Sequence, residues 1–543
     1  MAQRARRAAP AVLSRAFGRN RGLLATAILI WAGVAAAADA PMPPLATITA
    51  RYVAWRGGVA FEKGWRSWHA RGSIEIGALT GAVEFWRTPT STRISRIDLG
   101  PLSSVAVTDP HGSWSMDAAG SVVGGPDGDV DGDDDPQSGA ALRGQGGAHS
   151  ELVGVEVLDG RTWAVVHVAF DSGDTFDEFI DPATGELGGQ RATIKGQARL
   201  ERYSNWRWVG RRRFPFVTRT DVAQGNSTTV RLSSLRLDVA VDPSLFRRPR
   251  KVAASAGPPL HPTDWIPLTE SALGYIVFPV QITGRMLQAE LDTGVASTAI
   301  GRQAAASLGL GTRPAGLQMT GATGGSIQAD LAQSFPLAIG ALKFDRLRPI
   351  VIADTEIPQP VLLGEDFLAE TVVEIDFEHQ RIRFSNPASF HPPSGAVPLP
   401  LTPGGGLRMA SVEVEDHSSV LFQIDTAGNN GLISPDYAAT LGAPGDRPTG
   451  DGTIRGAGAT IEIKTAYLHA LRFGGVRFAD VLVAFPAIWS GDYYTSDMKG
   501  VICVDLLRRF QAVVLDWPHD RMILIPKPGI TPVAGAFAPP GSR

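Results

Sequence analysis

One cysteine stands in 543 residues. Cys503 therefore excludes an internal disulfide and a thiol-rich zinc site. Charge of one sign is also missing: 51 Lys and Arg meet 54 Asp and Glu, for a net charge of -3. That balance argues against a general binder of nucleic acid or acidic polymers. There is no Gly-x-Ser-x-Gly, no phosphate loop and no dinucleotide fingerprint. His417, His469 and His519 lack metal-site spacing, so neither a cofactor nor a metal is expected. The run "DGDVDGDDD" has Asp127, Asp129, Asp131 and Gly132 in calcium-loop order, but Ser138 stands where a bidentate Glu is needed. It reads as a solvated acidic loop. Helix-length periodic stretches are absent between about Leu45 and Pro249, whereas 61 Gly and 39 Pro favour strands and turns.

What is present divides the chain. Arg4, Arg6, Arg7, Arg15, Arg19 and Arg21 precede the apolar run "LLATAILIWAGVAAAA", and Ala38-Asp39-Ala40 offers a small-residue cleavage site. Residues 1–40 are expected to be a cleaved signal peptide, with export to a periplasm or the cell exterior. The run is shorter than the ~20 residues of a membrane-spanning helix, so no stable membrane span is expected after cleavage. No Cys follows it, which excludes lipidation there. Residues 41–250 carry short alternating runs such as "GSIEIG", "TWAVVHVAF" and "LRLDVAV", predicting a β domain. An acidic, Gly-rich insert near 121–150 is expected to be disordered. Residues 251–264 read as a linker, and 528–543 as a loose tail.

The rest is an internal duplication, 265–395 and 396–527. "AELDTGVASTAIG", holding Asp292, is echoed by "LFQIDTAGNNGLIS", holding Asp425. "AASLG" recurs as "AATLG", "ALKF" as "ALRF", "LLGEDFL" as "VICVDLL", and "EIDFEHQRIRF" as "VLDWPHDRMIL". A two-copy unit of this size predicts two homologous β lobes related by a pseudo-two-fold axis. In each, an apolar strand ends in the acid, a short helix follows, and a Gly-rich hairpin comes next. In lobe two Ser434 caps the helix, Pro435 suits its first turn and Gly442 stops it.

Equivalent points meet at a two-fold axis. With Asp292 and Asp425 placed there, two carboxylates roughly 3 Å apart would share one proton. The ionised one can take a proton from water while the other donates to a substrate carbonyl. Thr293 and Thr426 could hydrogen-bond across the axis, and Gly294 and Ala427 leave room for close backbone approach. The Gly-rich hairpins would cover the cleft.

"LDTGVAS", a Gly-rich hairpin and "VLLGEDFL" resemble a lobe of the retropepsin-like aspartic proteases, over about Trp265 to Pro526. Two lobes in one chain resemble the pepsin-like arrangement. The resemblance implies Asp292 and Asp425 as catalytic acids, a peptide or protein substrate, and Gly364 packed beneath the active-site loop. It implies a flap at Gly321, Ala322, Thr323, Gly324, Gly325 and Ser326, with Gly456 and Ala457 as the lobe-two counterpart. Ser297, and Asn430 near its equivalent, are supporting candidates. Lobe two departs from the pattern at Ala427 and at Cys503, which stands where lobe one has Gly364; a side chain there can push on the loop holding Asp425.

"HGSWSMDAAG", "EFIDPATGEL" and "YSNWRWVGRRRFPFV" are similar to the curved antiparallel β-sheet domains of periplasmic lipoprotein carriers. That implies an open, half-closed β-barrel with a greasy concave face and a lipid or peptide ligand. An anionic headgroup beside Arg211, Arg212 and Arg213 is one reading of the basic run; no nucleic-acid partner is expected. The expected fold class is thus mainly β, and the expected function an exported aspartic-type endopeptidase. The competing readings are a non-catalytic periplasmic peptide or lipid binder on a degenerate protease scaffold, and a homodimer of lobe-one sites.

Overall fold

The computed structural model describes residues between 42 and 530, with breaks, the longest being 60–64, 117–121, 126–138, 250–260 and 490–497. The expected signal peptide, the calcium-like run, most of the linker and the end of the tail lie outside the described residues.

The architecture is mainly β. Thirteen strands between Trp68 and Leu237 make one antiparallel sheet. It consists of two meanders joined where Trp68–Ile76 pairs with Thr228–Leu237. Val122–Gly125 and Ala148–Leu158 end the order on opposite sides, and no described pairing joins them. Among the described residues the sheet is therefore open, and no closed β-barrel forms.

Two further expectations change. Leu45–Arg56 is a helix. Its Ile48, Tyr52 and Val53 pack on Ala164, Val166, Val168 and Ile180 of the sheet. Its outward positions Ala46, Ala50 and Ala54 are also apolar, so the polar contrast that marks an amphipathic helix is faint. Part of the insert near 121–150 is ordered: Val122–Gly125 is a strand, Gly139–Leu142 a helical turn, and Ala148 opens another strand. Its six Asp all fall within 126–138, outside the described residues. The basic run is not an open patch either. Arg212 is buried, and Arg213 lies between the rings of Trp55 and Trp208, 5.0 and 4.7 Å from their centroids.

The duplicated half forms two sheets with the same strand order. In lobe one the order is Thr312–Thr320, Ser326–Ala332, Ile350–Ile352, Ala299–Gly301, Val361–Leu363, Arg285–Leu291, Val277–Ile282, Phe335–Ile339 and Leu342–Leu347. In lobe two it is Gly450–Gly456, Ala459–Leu468, Val481–Pro486, Gly431–Ile433, Met498–Cys503, Val420–Asp425, Leu407–Val414, Leu471–Phe473 and Val476–Phe478, with Thr402–Gly404 added beside Leu407–Val414.

A third sheet, six-stranded, ties the lobes together. Val372–Asp376 of lobe one pairs antiparallel with Ala512–Asp516 of lobe two at its centre. The pseudo-two-fold axis passes between them. On each side an Asp clasps the turn that follows. Asp376 binds His379 Nδ1 at 2.8 Å and Arg381 Nε at 2.9 Å, and Asp516 binds His519 Nδ1 and Arg521 Nε at 2.6 Å. The repeated "D-x-x-H-x-R" is thus a turn clasp.

The N-terminal sheet leans on lobe one. Ile74, Leu79, Val83 and Leu99 share a buried cluster with Ala315, Leu317, Ala329 and Leu331 of the lobe-one hairpin. Ala78 N donates to Ala315 O at 2.8 Å. Asn226 holds Gln318 through both its backbone groups, at 2.7 Å each.

Candidate active site

Each acid ends a central strand because apolar residues alternate up to it. In lobe one Ala289 and Leu291 face the main core, and the intervening Glu290 and the following Asp292 face the other way. The strand is wedged between an antiparallel partner, Val277–Ile282, and a parallel one, Val361–Leu363. Lobe two repeats this with Phe422 and Ile424 in the core, and Met498–Cys503 as the parallel partner.

The loops after the two strands are laced together across the axis. Thr293 N donates to Thr426 Oγ1 at 3.1 Å, and Thr426 N donates to Thr293 Oγ1 at 3.0 Å. Each hydroxyl then donates onward into the opposite lobe: Thr293 Oγ1 to Ile424 O at 2.8 Å, Thr426 Oγ1 to Leu291 O at 2.6 Å. Both threonines are fully buried. Removing either hydroxyl would strand buried donors and acceptors, at about 1–3 kcal/mol each.

This lacing brings the acids to one place. A Cβ at Gly294 would lie within 2.9–3.0 Å of the Asp425 carboxyl, so the loop of one lobe runs directly against the acid of the other. A methyl there would displace that carboxyl. Asp292 Oδ1 accepts from Gly294 N at 2.8 Å, and Asp425 Oδ1 from Ala427 N at 2.9 Å. Both acids are buried. Burial raises both pKa values, the negative charge of Asp425 raises that of Asp292 further, and the loop amides partly offset this. Burial and like charge together favour a pair that keeps one proton.

The Cys503 departure has a local remedy. A Cβ at Gly364 would meet Val295 O at 2.7 Å, so lobe one needs Gly beneath its loop. In lobe two, Gly428 replaces Val295, and a Cβ there would meet Cys503 Sγ at 2.4 Å. Side-chain volume has moved from the loop to the strand end. The backbone bond survives in both lobes, Glu365 N to Val295 O at 2.9 Å and Val504 N to Gly428 O at 3.1 Å.

The expected supports fare unevenly. Among the described residues neither Ser297 nor Asn430 donates to either acid. Thr298 serves instead: Asp366 Oδ1 accepts from its N at 2.8 Å and its Oγ1 at 2.7 Å. In lobe two Gly431 replaces Thr298, and Asp505, the equivalent of Asp366, has an Oδ1 with no partner among the described residues. Burial pushes Asp505 up to about 6, partly offset by backbone amides and Arg509. A buried link between lobes was also not foreseen. Glu365 accepts from Trp517 Nε1 at 2.7 Å and from Arg408 Nη1 at 3.3 Å, and Arg408 Nε reaches Asp520 at 3.0 Å.

The hairpin ends meet over the cleft. Gly321 N donates to Gly325 O at 2.8 Å, and Gly324 N to Gly321 O at 2.9 Å, closing the lobe-one turn. Thr323 Oγ1 donates to Ala459 O at 3.0 Å. A Cβ at Gly321 would meet Ala457 O, one at Gly325 would overlap Gly458, and one at Gly456 would meet Thr323, so the two turns are in backbone contact. Gly458 N also donates to Glu356 of lobe one at 2.7 Å. Ser326 begins the returning strand; Ala322 lies outside the described residues.

Two polar residues beneath the hairpins escaped the sequence reading. Glu290 and Gln423 each stand two positions before their acid, and both are buried. Superimposing the lobes on Asp292 and Asp425 would have exposed them, since a polar residue interrupts an apolar strand at the same place twice. Tyr275, half-buried, lies near the same acids: burial and their charge, Glu290 foremost, push it up to about 12.

Residues 278–367 and 410–498, one segment in each lobe, match the aspartyl protease family. No curated protein matches the chain. Among solved structures the chain is similar to a retropepsin-like aspartic protease from Rickettsia conorii, at 18% identity over 24% of this chain and 89% of that one, TM-score 0.20. It is also similar to a DUF1329 family protein from Desulfovibrio piger ATCC 29098, at 12% identity over 38% of this chain and 97% of that one, TM-score 0.28. A LolA superfamily protein from Nitrosomonas europaea is similar at 12% identity over 38% of this chain and 98% of that one, TM-score 0.27.

Proposed function

We propose that the protein is an exported aspartic-type endopeptidase that hydrolyses peptide bonds with a water activated between Asp292 and Asp425. The observation that carries this is the reciprocal Thr293–Thr426 lacing, which holds Gly294 against the Asp425 carboxyl and so makes one site from two lobes. The ionised acid takes a proton from water, the oxygen attacks the carbonyl carbon, and the protonated acid donates to the carbonyl oxygen. Collapse of the tetrahedral species returns a proton to the leaving nitrogen. The touching hairpins exclude bulk water while this happens, and they must part to admit a chain.

Peptide cleavage by the wild type, Asp292→Asn and Asp425→Asn, followed from acid to alkaline pH, tests this. Loss of at least about 1,000-fold in kcat/KM in both variants is the expected result, as both roles need an acid. Loss in Asp292→Asn alone would favour a homodimer of lobe-one sites. No cleavage by a folded wild type would favour the binding protein. Because burial raises both acids, the singly protonated pair persists above the usual carboxylate range. Activity is therefore expected to extend toward neutral pH before falling on the alkaline side.

A ligand-holding role for the N-terminal domain has its own support. A cavity of about 730 Å³ lies beside the Leu45–Arg56 helix, lined by Leu45, Ala50, Val53, Leu142 and others. Its apolar lining suits an acyl chain or apolar peptide side chains. Export rests on the N-terminal arginines and the apolar run, and N-terminal sequencing of the mature protein from a periplasmic fraction tests it.

A further inference from the structure

We propose that Glu290 is a specificity-determining residue that receives a cationic substrate side chain, Lys or Arg, next to the scissile bond. This rests on the peptidase reading above and deepens it.

Glu290 lies two residues before Asp292 on the same strand, so the two side chains leave the same face, roughly 7 Å apart along the chain. That face is the one the lobe-one hairpin covers. Leu362, the neighbour of Glu290 in the parallel strand, belongs to the cluster with Ala299, Leu317, Ala329 and Leu331, whereas Ala289 and Leu291 point into the main core. Glu290 is therefore a cleft-side residue in an apolar wall, directly beside a reacting acid.

Its chemistry is unsatisfied. Glu290 is 0% exposed, and neither carboxyl oxygen has a hydrogen-bond partner among the described residues. A buried carboxyl that serves only the fold is ordinarily hydrogen-bonded. The charges acting on it are Asp292 and Asp425, both of its own sign, and with burial they push it up to about 9. The group is thus a neutral acid that ionises readily once a cation enters. An ammonium or guanidinium would satisfy both oxygens and offset the accumulation of three acids.

Lobe two supplies an internal contrast. Gln423 occupies the equivalent position before Asp425, is 1% exposed, and leaves its Oε1 without a partner among the described residues. Its strand neighbours Met409 and Val501 are likewise apolar. The two positions flanking the acids are therefore alike in place and unlike in charge. A cation on the lobe-one side and a neutral hydrogen-bond donor on the lobe-two side is the complementary pattern.

The test compares the full chain with Glu290→Gln and Glu290→Leu, each checked for folding by its thermal unfolding. Peptides carrying Lys, Gln or norleucine at the positions flanking the bond are scored by mass spectrometry for cleavage. The same peptides with that bond reduced to a methyleneamine are scored for binding. Wild type is expected to prefer Lys over norleucine on one side by on the order of 100-fold, since a site with an unpaired polar group rejects an apolar mimic strongly. Glu290→Leu should reverse the preference, and Glu290→Gln should shift it from Lys toward Gln. Cleavage with no basic preference, or a preference that Glu290→Leu leaves unchanged, overturns the inference and leaves the peptidase reading intact. Absence of cleavage, with selective binding of the reduced Lys peptide that Glu290→Leu abolishes, supports the inference and removes the peptidase reading. Neither cleavage nor selective binding overturns both.

Discussion

At the residue scale, a buried acid is a stability statement as well as a site feature. Glu290 has its folded pKa raised from 4.5 to about 9. Between those values the unfolded chain has released the proton and the folded chain still holds it. Stability therefore falls as pH rises through that window, by at most about 1.4 kcal/mol per pH unit. Asp292 and Asp425 act with the same sign. Replacing Glu290 with Gln removes one contribution, so the urea midpoint of Glu290→Gln should fall less than that of wild type between mildly acidic and mildly alkaline pH. A steeper fall in the variant would contradict the raised value.

At the element scale, the strand end and the loop above it share one volume. Lobe one divides it as Gly364 below Val295, lobe two as Cys503 below Gly428. Gly428→Ala should cost about 1–3 kcal/mol in denaturant unfolding, because the new methyl would meet Cys503 Sγ. Cys503→Gly should leave a small void. The pair Cys503→Gly with Gly428→Val restores the lobe-one solution and should cost less than the sum of the single changes. Additive costs would mean the two positions are not coupled.

The element scale also separates what the sequence reveals from what it hides. The repeated strings mark both acid strands, the capped helix after Ser434 and the turn clasps, because each is a local pattern repeated in one chain. In the structure Pro435–Thr440 is that helix, with Ser434 Oγ accepting from Tyr437 N at 3.4 Å. The Leu45–Arg56 helix stayed hidden because Ala occupies its outer face. Thr298 and Asp366 stayed hidden because they are far apart in sequence and meet only through the fold. Ser297, one residue earlier, has the same hydroxyl but donates to neither acid among the described residues.

At the scale of the whole molecule, the N-terminal sheet and the cleft cover are mechanically joined. The outer surface of the lobe-one hairpin packs on Ile74, Leu79, Val83 and Leu99, and Asn226 grips the backbone of Gln318. Among the described residues the opposite hairpin has no such backing from the sheet cluster. Opening of the two covers is thus expected to be unequal, with lobe two moving first. Asn226→Ala should raise amide hydrogen exchange at Gln318 and its strand Thr312–Thr320 by about 5- to 30-fold, matching the loss of one or two hydrogen bonds of about 1 kcal/mol. Exchange along Gly450–Gly456 should be unchanged.

Composition and the repeat settled by themselves that this chain is mainly β, that half of it is doubled, and that two acids occupy equivalent strand ends. Those are one-dimensional properties: alternation, turn residues and recurrence need no partner to be read. Which groups surround the acids was decided only in three dimensions. The threonine lacing, the exchange of volume between Cys503 and Gly428, and the unpaired carboxyl of Glu290 each depend on segments more than seventy residues apart or on which strand face is covered. A side chain's chemistry is written in the sequence, but its dielectric surroundings and hydrogen-bond partners are supplied by the fold.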